Sequence, residues 1–130
     1  LLDITNLRKN INVNVPKSLR ILHVTNFNER HDGRLFFNTG RRINNGFIRL
    51  GHSVLEFSDR DIVKHYKSLK DYTGGKTLNQ KLINTVYNYK PDLLIFGHAD
   101  LIKNESLIFV VITLHEICLG MFSSKVLMLS

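Results

Sequence analysis

Cysteine occurs once in this 130-residue chain, and tryptophan not at all. The single Cys118 excludes an internal disulfide and fits a reducing, cytoplasmic compartment. It lies in an apolar stretch with no base beside it, so it reads as a buried structural thiol and not as a nucleophile. Long apolar runs are missing too. The most apolar segment, residues 107–121, is broken by His115 and Glu116. It falls short of the ~20 residues that span a bilayer, so no membrane span is expected. The opening Leu1-Leu2-Asp3-Ile4 has no basic stretch leading into an apolar one, which argues against a signal peptide. The missing initiator Met points to a fragment. Acidic residues are in the minority, 11 against 18 Lys and Arg, for a formal net charge of +7. Such a surplus suits nucleic acid, anionic lipid, phosphorylated ligands or a merely solubilising surface. The bases are spread along the chain, which makes nucleic acid the weakest of these.

What is present has the composition of a folded domain. Hydrophobic residues make up 43% and charged residues 22%, which is globular and not disordered. The length suffices for one domain with a real core. Residues 1–18 are Asn-rich and weakly patterned, a leader or edge segment ahead of a single domain over 19–130. Arg20 to Phe27 is a mostly apolar run interrupted by His23 and Thr25, as in a strand covered on both faces. After the polar loop Asn28–Arg34, a helix is expected over about Asn38–Leu50. Its apolar face is Ile43, Phe47 and Leu50, with Arg41, Arg42 and Arg49 directed elsewhere. Asn38 or Thr39 caps its start and Gly51 stops it, while Gly40 lets the first turn approach the sheet. Ser53–Ser58 reads as a second strand. Residues 60–76 read as a loop with a short helix, followed by a helix over about Leu78–Tyr89 with Leu78, Leu82, Val86 and Tyr89 on one stripe. Pro91 ends it, and Leu93–Gly97 is a third strand. Beyond Asn104 the pattern blurs. Residues 107–122 are apolar nearly all round, which predicts a buried helix, and Lys125–Leu129 a short fourth strand. Helix and strand alternate through short connections, so the fold class is α/β, a Rossmann-like three-layer sandwich with a small parallel sheet.

Familiar motifs fail around this frame. A dinucleotide fingerprint needs three closely spaced glycines after the first strand, and only Gly33 and the distant Gly40 are there. Asp59 does occupy the place of a ribose-binding acid. Gly75-Lys76-Thr77 mimics the end of a phosphate-binding loop, but the motif's first glycine would fall at Lys70 with no strand before it. A turn before a helix fits better. A response-regulator receiver would need acids where Thr25, Asn26 and Gly97 stand. The histidines show no paired metal-ligand spacing, so no metal site is read. His23 is expected to be a satisfied core histidine and His52 a structural one.

Ligands of open parallel sheets bind outside the carboxyl ends of the strands, beside the reversal of strand order. Three loops qualify, at Asn26–Arg34, Asp59–Asp61 and His98–Asp100. With the third strand on the far side of the first from the second, Arg30, His31, Asp32, Arg34, His98 and Asp100 would converge. That set could hold an anionic or hydroxyl-bearing ligand, with His or Asp as a base. Each is also an ordinary solvated loop residue.

The sequence resembles the N-terminal domain of GT-B glycosyltransferases, and more narrowly the bacterial CgeB-like (spore-maturation-type) kind. The matching stretches are Ile21 to Arg34, Asn44-Asn45-Gly46-Phe47-Ile48-Arg49-Leu50-Gly51-His52, Ser58-Asp59-Arg60-Asp61, and Pro91 to Asp100. They span residues 20–101, and their order and spacing carry more weight than any one of them. The resemblance implies sugar transfer from a nucleotide-sugar donor to an acceptor, with no cofactor and no metal-binding Asp-x-Asp. It places the acceptor on this domain and the donor on a C-terminal domain missing here. His98 and Asp32 are then the candidates for hydroxyl activation or phosphate contact. Asn26, Arg30, His31, Arg34, Asp59 and Asp100 are the candidates for substrate binding. Residues 103–130 depart from the family pattern, which suggests a truncated end and a chain inactive alone. The alternative is a non-catalytic Rossmann-like module for phosphorylated or anionic ligands.

Overall fold

A computed structural model describes residues 18–98, 100–118 and 125–129, with backbone only for 115–118 and 125–129. The expected leader, apart from Ser18, and the Cys118 thiol lie outside what is described. Four strands, β1 (Arg20–Thr25), β2 (Ser53–Ser58), β3 (Leu93–Gly97) and β4 (Lys125–Leu129), form one sheet in the order β2-β1-β3-β4. All three pairings are parallel. The helices are α1 (Thr39–Arg49), α2 (Asp59–His65), α3 (Gly75–Tyr89) and α4 (Asn104–Cys118), and a 3-10 turn covers Glu29–His31. The fold is therefore the expected small Rossmann-like α/β domain.

Register divides the side chains between two faces, because alternate strand residues point to opposite sides. Leu22, Leu55 and Leu94 are aligned, as are Val24, Phe57 and Phe96. All but Leu55, which is exposed on the edge strand, meet Leu78, Leu82 and Val86 of α3 and Ile102, Val110 and Leu114 in and before α4, forming the main core. The other face carries His23, Glu56 and Thr25, and α1 lies there. Helices on both faces give three layers.

Helix α1 corrects its expected orientation. The buried residue is Asn44, while Leu50 is 70% exposed and Arg41 turns inward to pair with Glu56. The 3.6-residue pattern misleads because the sheet beneath presents polar groups, which a polar helix face must satisfy. Helix α4 is corrected as well. Val110 and Leu114 are buried, but Ile108, Phe109, Val111 and Ile112 are about half exposed, so it is one-sided. Smaller expectations hold. Asn38 caps α1 by accepting from the Arg41 amide at 2.8 Å, and Gly51 adopts φ 87°. His52 Nδ1 accepts from the Leu19 amide at 3.3 Å. Helix α3 begins at Gly75, three residues early, because Asp71 accepts from the Thr77 amide at 2.8 Å after a left-handed Gly74.

Thr25 sets how closely the layers approach. A Cβ at Gly40 would lie 2.7 Å from Thr25 Cγ2, and one at Gly97 2.9 Å from Thr25 Oγ1. Gly40→Ala should therefore cost about 1–3 kcal/mol by overpacking. In a Thr25→Ser background, which removes Cγ2, the same change should be neutral or stabilise by up to about 1 kcal/mol through helix propensity. Urea unfolding of the four proteins tests this; an equal cost in both backgrounds would refute the steric account.

Candidate functional site

The strand order reverses beside β1, so the carboxyl ends of β1 and β3 bound a crevice of the kind that open α/β sheets use for ligands. At this point Thr25 packs against Gly40 and Gly97, its side chain filling the space that a Cβ on either would take. The β1–α1 loop rises on one side. Asn26 and Asn28 tie its base, Asn26 Nδ2 donating to Asn28 Oδ1 at 3.1 Å and the Asn28 amide to Asn26 Oδ1 at 3.2 Å. Asn38 Nδ2 donates to the carbonyls of Asn26 and Phe27 at 3.3 and 3.2 Å. Asn28, Asp32 and Gly33 take left-handed conformations, which curl the loop into its 3-10 turn. On the other side His98, exposed and also left-handed at φ 58°, ends β3. That conformation is uncommon for any residue but glycine.

The candidate residues do not gather into one cluster. Arg30 is drawn away to the β2 side, donating from Nη1 to Asp61 Oδ1 at 3.2 Å. There it lines a cavity of about 670 Å3 with Glu29, Ser58, Asp61, Lys64 and Tyr66. His31 Nδ1 lies 3.5 Å from Arg34 Nη2; His31 is half-buried, while Asp32 and Arg34 are exposed. Asp100 pairs with Arg60 at 3.2 Å. Asp59 stands apart from the rest. Placed at the start of α2 and not in a loop, it is 1% exposed. Its Oδ1 accepts from the Arg60 amide at 2.7 Å, and its Oδ2 has no partner among the described residues. Burial pushes its carboxyl above the ordinary range, against the Arg60 amide and guanidinium, and Asp100 and Asp61 push the same way as burial. Among the described residues no group of three His, Cys, Asp or Glu is placed to hold a metal.

Sequence reasoning missed the hub of this edge, Asp61. It accepts from the Glu29 amide at 2.9 Å, from the Ser58 hydroxyl and from Arg30, while Ser58 Oγ accepts from the Phe27 amide at 3.0 Å. One carboxylate thus binds the β1 loop to the end of β2. Ser58 is three residues away, but Glu29 and Arg30 lie some thirty residues away, so no local pattern marks its hold on the loop. Arg60, which spans from Asp59 to Asp100, is equally invisible in sequence.

No family model, curated protein or solved structure matches the chain. Function must be read from the residues.

Asp61 and Asp59 give opposite pH behaviour. Burial raises the Asp61 carboxyl, but Ser58, the Glu29 amide and Arg30 outweigh that and hold it below the ordinary range. Its stabilisation is therefore present above the unfolded value near 3.9 and lost as pH falls through the folded one. Asp61→Ala should lower stability by about 2 kcal/mol at pH 7, with the deficit closing in acid. A deficit that persists unchanged to pH 2 would count against the ion-pair account.

For Asp59 the folded value is raised, so the wild type loses stability as pH rises from about 4 through the folded value. Asp59→Asn removes that loss. Relative to the wild type, the variant should gain between pH 4 and pH 7 in paired denaturant titrations; a parallel pH profile would contradict the buried, half-partnered carboxylate.

Proposed function

We propose that the chain is the acceptor-side domain of a bacterial GT-B-type glycosyltransferase of the CgeB-like kind. It would act in the cytoplasm to move a sugar from a nucleotide-sugar donor to an acceptor. The observation that supports this best is the strand order β2-β1-β3-β4, whose reversal beside β1 is where open parallel sheets bind their ligands. On this reading the acceptor lies between the Asn26–Arg34 loop and His98. His98 takes the proton of the attacking hydroxyl, and its left-handed backbone is the kind of stored strain found at functional positions. Asp32 is the second candidate for that role, and His31 and Arg34 are free to contact acceptor or phosphate. Asp59 and Asp100, linked through Arg60, order the rim beside β2. Arg30 serves the loop by holding Asp61. The donor site has to come from a second α/β domain, in this polypeptide or another.

Two measurements test the reading. Incubated alone with UDP- or GDP-sugars, the chain should release no free sugar. Titrated with a panel of mono- and disaccharides, it should show amide shifts at Asn26, residues 28–34 and His98. Steady donor hydrolysis by the chain alone, or saccharide shifts confined elsewhere, would overturn the assignment.

A further inference from the structure

A second basic feature lies on the helix layer opposite α1. Between the first turns of α3 and α4 runs a groove of about 500 Å3, lined by Lys76, Lys81, Lys103, Asn79, Gln80 and Ser106 among others. No carboxylate among the described residues lines it, and none of its three lysines is in an ion pair there. Lys81 Nζ lies 4.4 Å from the centre of the Tyr66 ring, a contact that steadies it without neutralising it.

The placement of the lysines is electrostatically unfavourable. Lys76 is the second residue of α3 and Lys103 immediately precedes α4. Helix N-termini carry about half a positive charge, which favours acids and disfavours bases. The nearby acids do not relieve this within the groove. Asp71 is engaged by the Thr77 amide and hydroxyl at 2.8 and 3.0 Å, and Glu105 is not part of the lining. One observation points to a ligand, and a second shows that the groove's two sides are held together. Ser106 is only 8% exposed, lines the groove, and its hydroxyl has no hydrogen-bond partner among the described residues. Asn79 clamps the two helix starts together, Nδ2 donating to the Gly75 carbonyl at 2.7 Å and Oδ1 accepting from the Lys103 amide at 3.0 Å.

We infer that this groove binds a small ligand through a phosphate group, such as a pyrophosphate or phosphate monoester. Lys76 and Lys103 supply the charge, the two helix starts add their dipoles, and Ser106 donates a hydrogen bond. The volume suits a small molecule and not a long polymer. The groove shares no residue with the crevice between β1 and β3, so this inference stands or falls independently of the glycosyltransferase assignment.

Calorimetric titration with sodium pyrophosphate at constant ionic strength tests it. The wild type should bind saturably with one equivalent. Lys76→Ala/Lys103→Ala should weaken binding by about ten-fold or more, and Ser106→Ala to a lesser extent. Because the lysines oppose the helix dipoles, the double variant should unfold at the same or a higher temperature without ligand, which separates lost binding from lost folding. Absence of saturable binding to the wild type, or equal affinity of wild type and double variant, would overturn the inference.

Discussion

His23 and Glu56 stand side by side in register on the sheet face beneath α1, and that side of the molecule is organised by the need to satisfy them. His23 is buried and Glu56 half-buried, and enclosing a polar group costs several kcal/mol unless it finds partners. Helix α1 supplies them. Asn44 Nδ2 donates to Glu56 Oε1 at 2.6 Å, Arg41 pairs with the other carboxylate oxygen, and Asn44 Oδ1 is left to face His23 Nδ1 at 3.4 Å. Burial pushes the His23 imidazole below its ordinary range, against Asn44 and Glu56. A neutral ring with its proton on Nδ1 completes the chain of donors and acceptors. Arg41 also lies over the rings of Phe27 and Phe36, at 4.8 and 5.1 Å from their centres. Removing Asn44, which touches both, would leave the buried His23 without its hydrogen-bond partner, a cost beyond the loss of the bond itself.

That network fixes the axis of α1, and the axis fixes the crevice. With Asn44 held over His23, the first turn of the helix must pass Thr25, which only glycine at position 40 permits. Asn38 then reaches the Asn26 and Phe27 carbonyls, and Ser58 and Asp61 secure the same loop from β2. The base of the loop is tied from both sides. The stretch from Leu35 to Phe37 that leads from it into α1 stays exposed.

Much of the frame was legible in sequence, for identifiable reasons. Strands β2, β3 and β4 fall on the expected residues because each is a short apolar run between polar or glycine breaks. Strand β1 ends two residues early, at Thr25, because Asn26 bonds to Asn28 in place of the ladder. The stripe of Leu78, Leu82 and Val86 was readable since it faces a purely apolar surface. The face of α1 was not, because periodicity counts apolar residues and this interface is polar. At the site, loop membership could be inferred from strand ends, and Asp59 from its place after β2. Its burial, and the diversion of Arg30 to Asp61, depend on contacts between residues far apart in the chain.

The energetically costly features are not spread evenly. His98 holds a left-handed backbone, Asp59 keeps one buried oxygen without a described partner, and Lys76 and Lys103 sit at helix starts that favour acids. All of them lie along the carboxyl edge of the sheet. The other left-handed non-glycine residue outside the β1–α1 loop, Lys90, ends α3 in an ordinary cap. A sequence shaped for stability alone could relieve each of these with glycine, a neutral side chain or an acid. Costs concentrated at the edge where parallel sheets meet their ligands, over a core that is otherwise well packed, are what a binding surface requires. On the two proposals made above, that edge is divided between two kinds of contact, charge on the α3–α4 side and the β1–α1 loop with His98 beside β1.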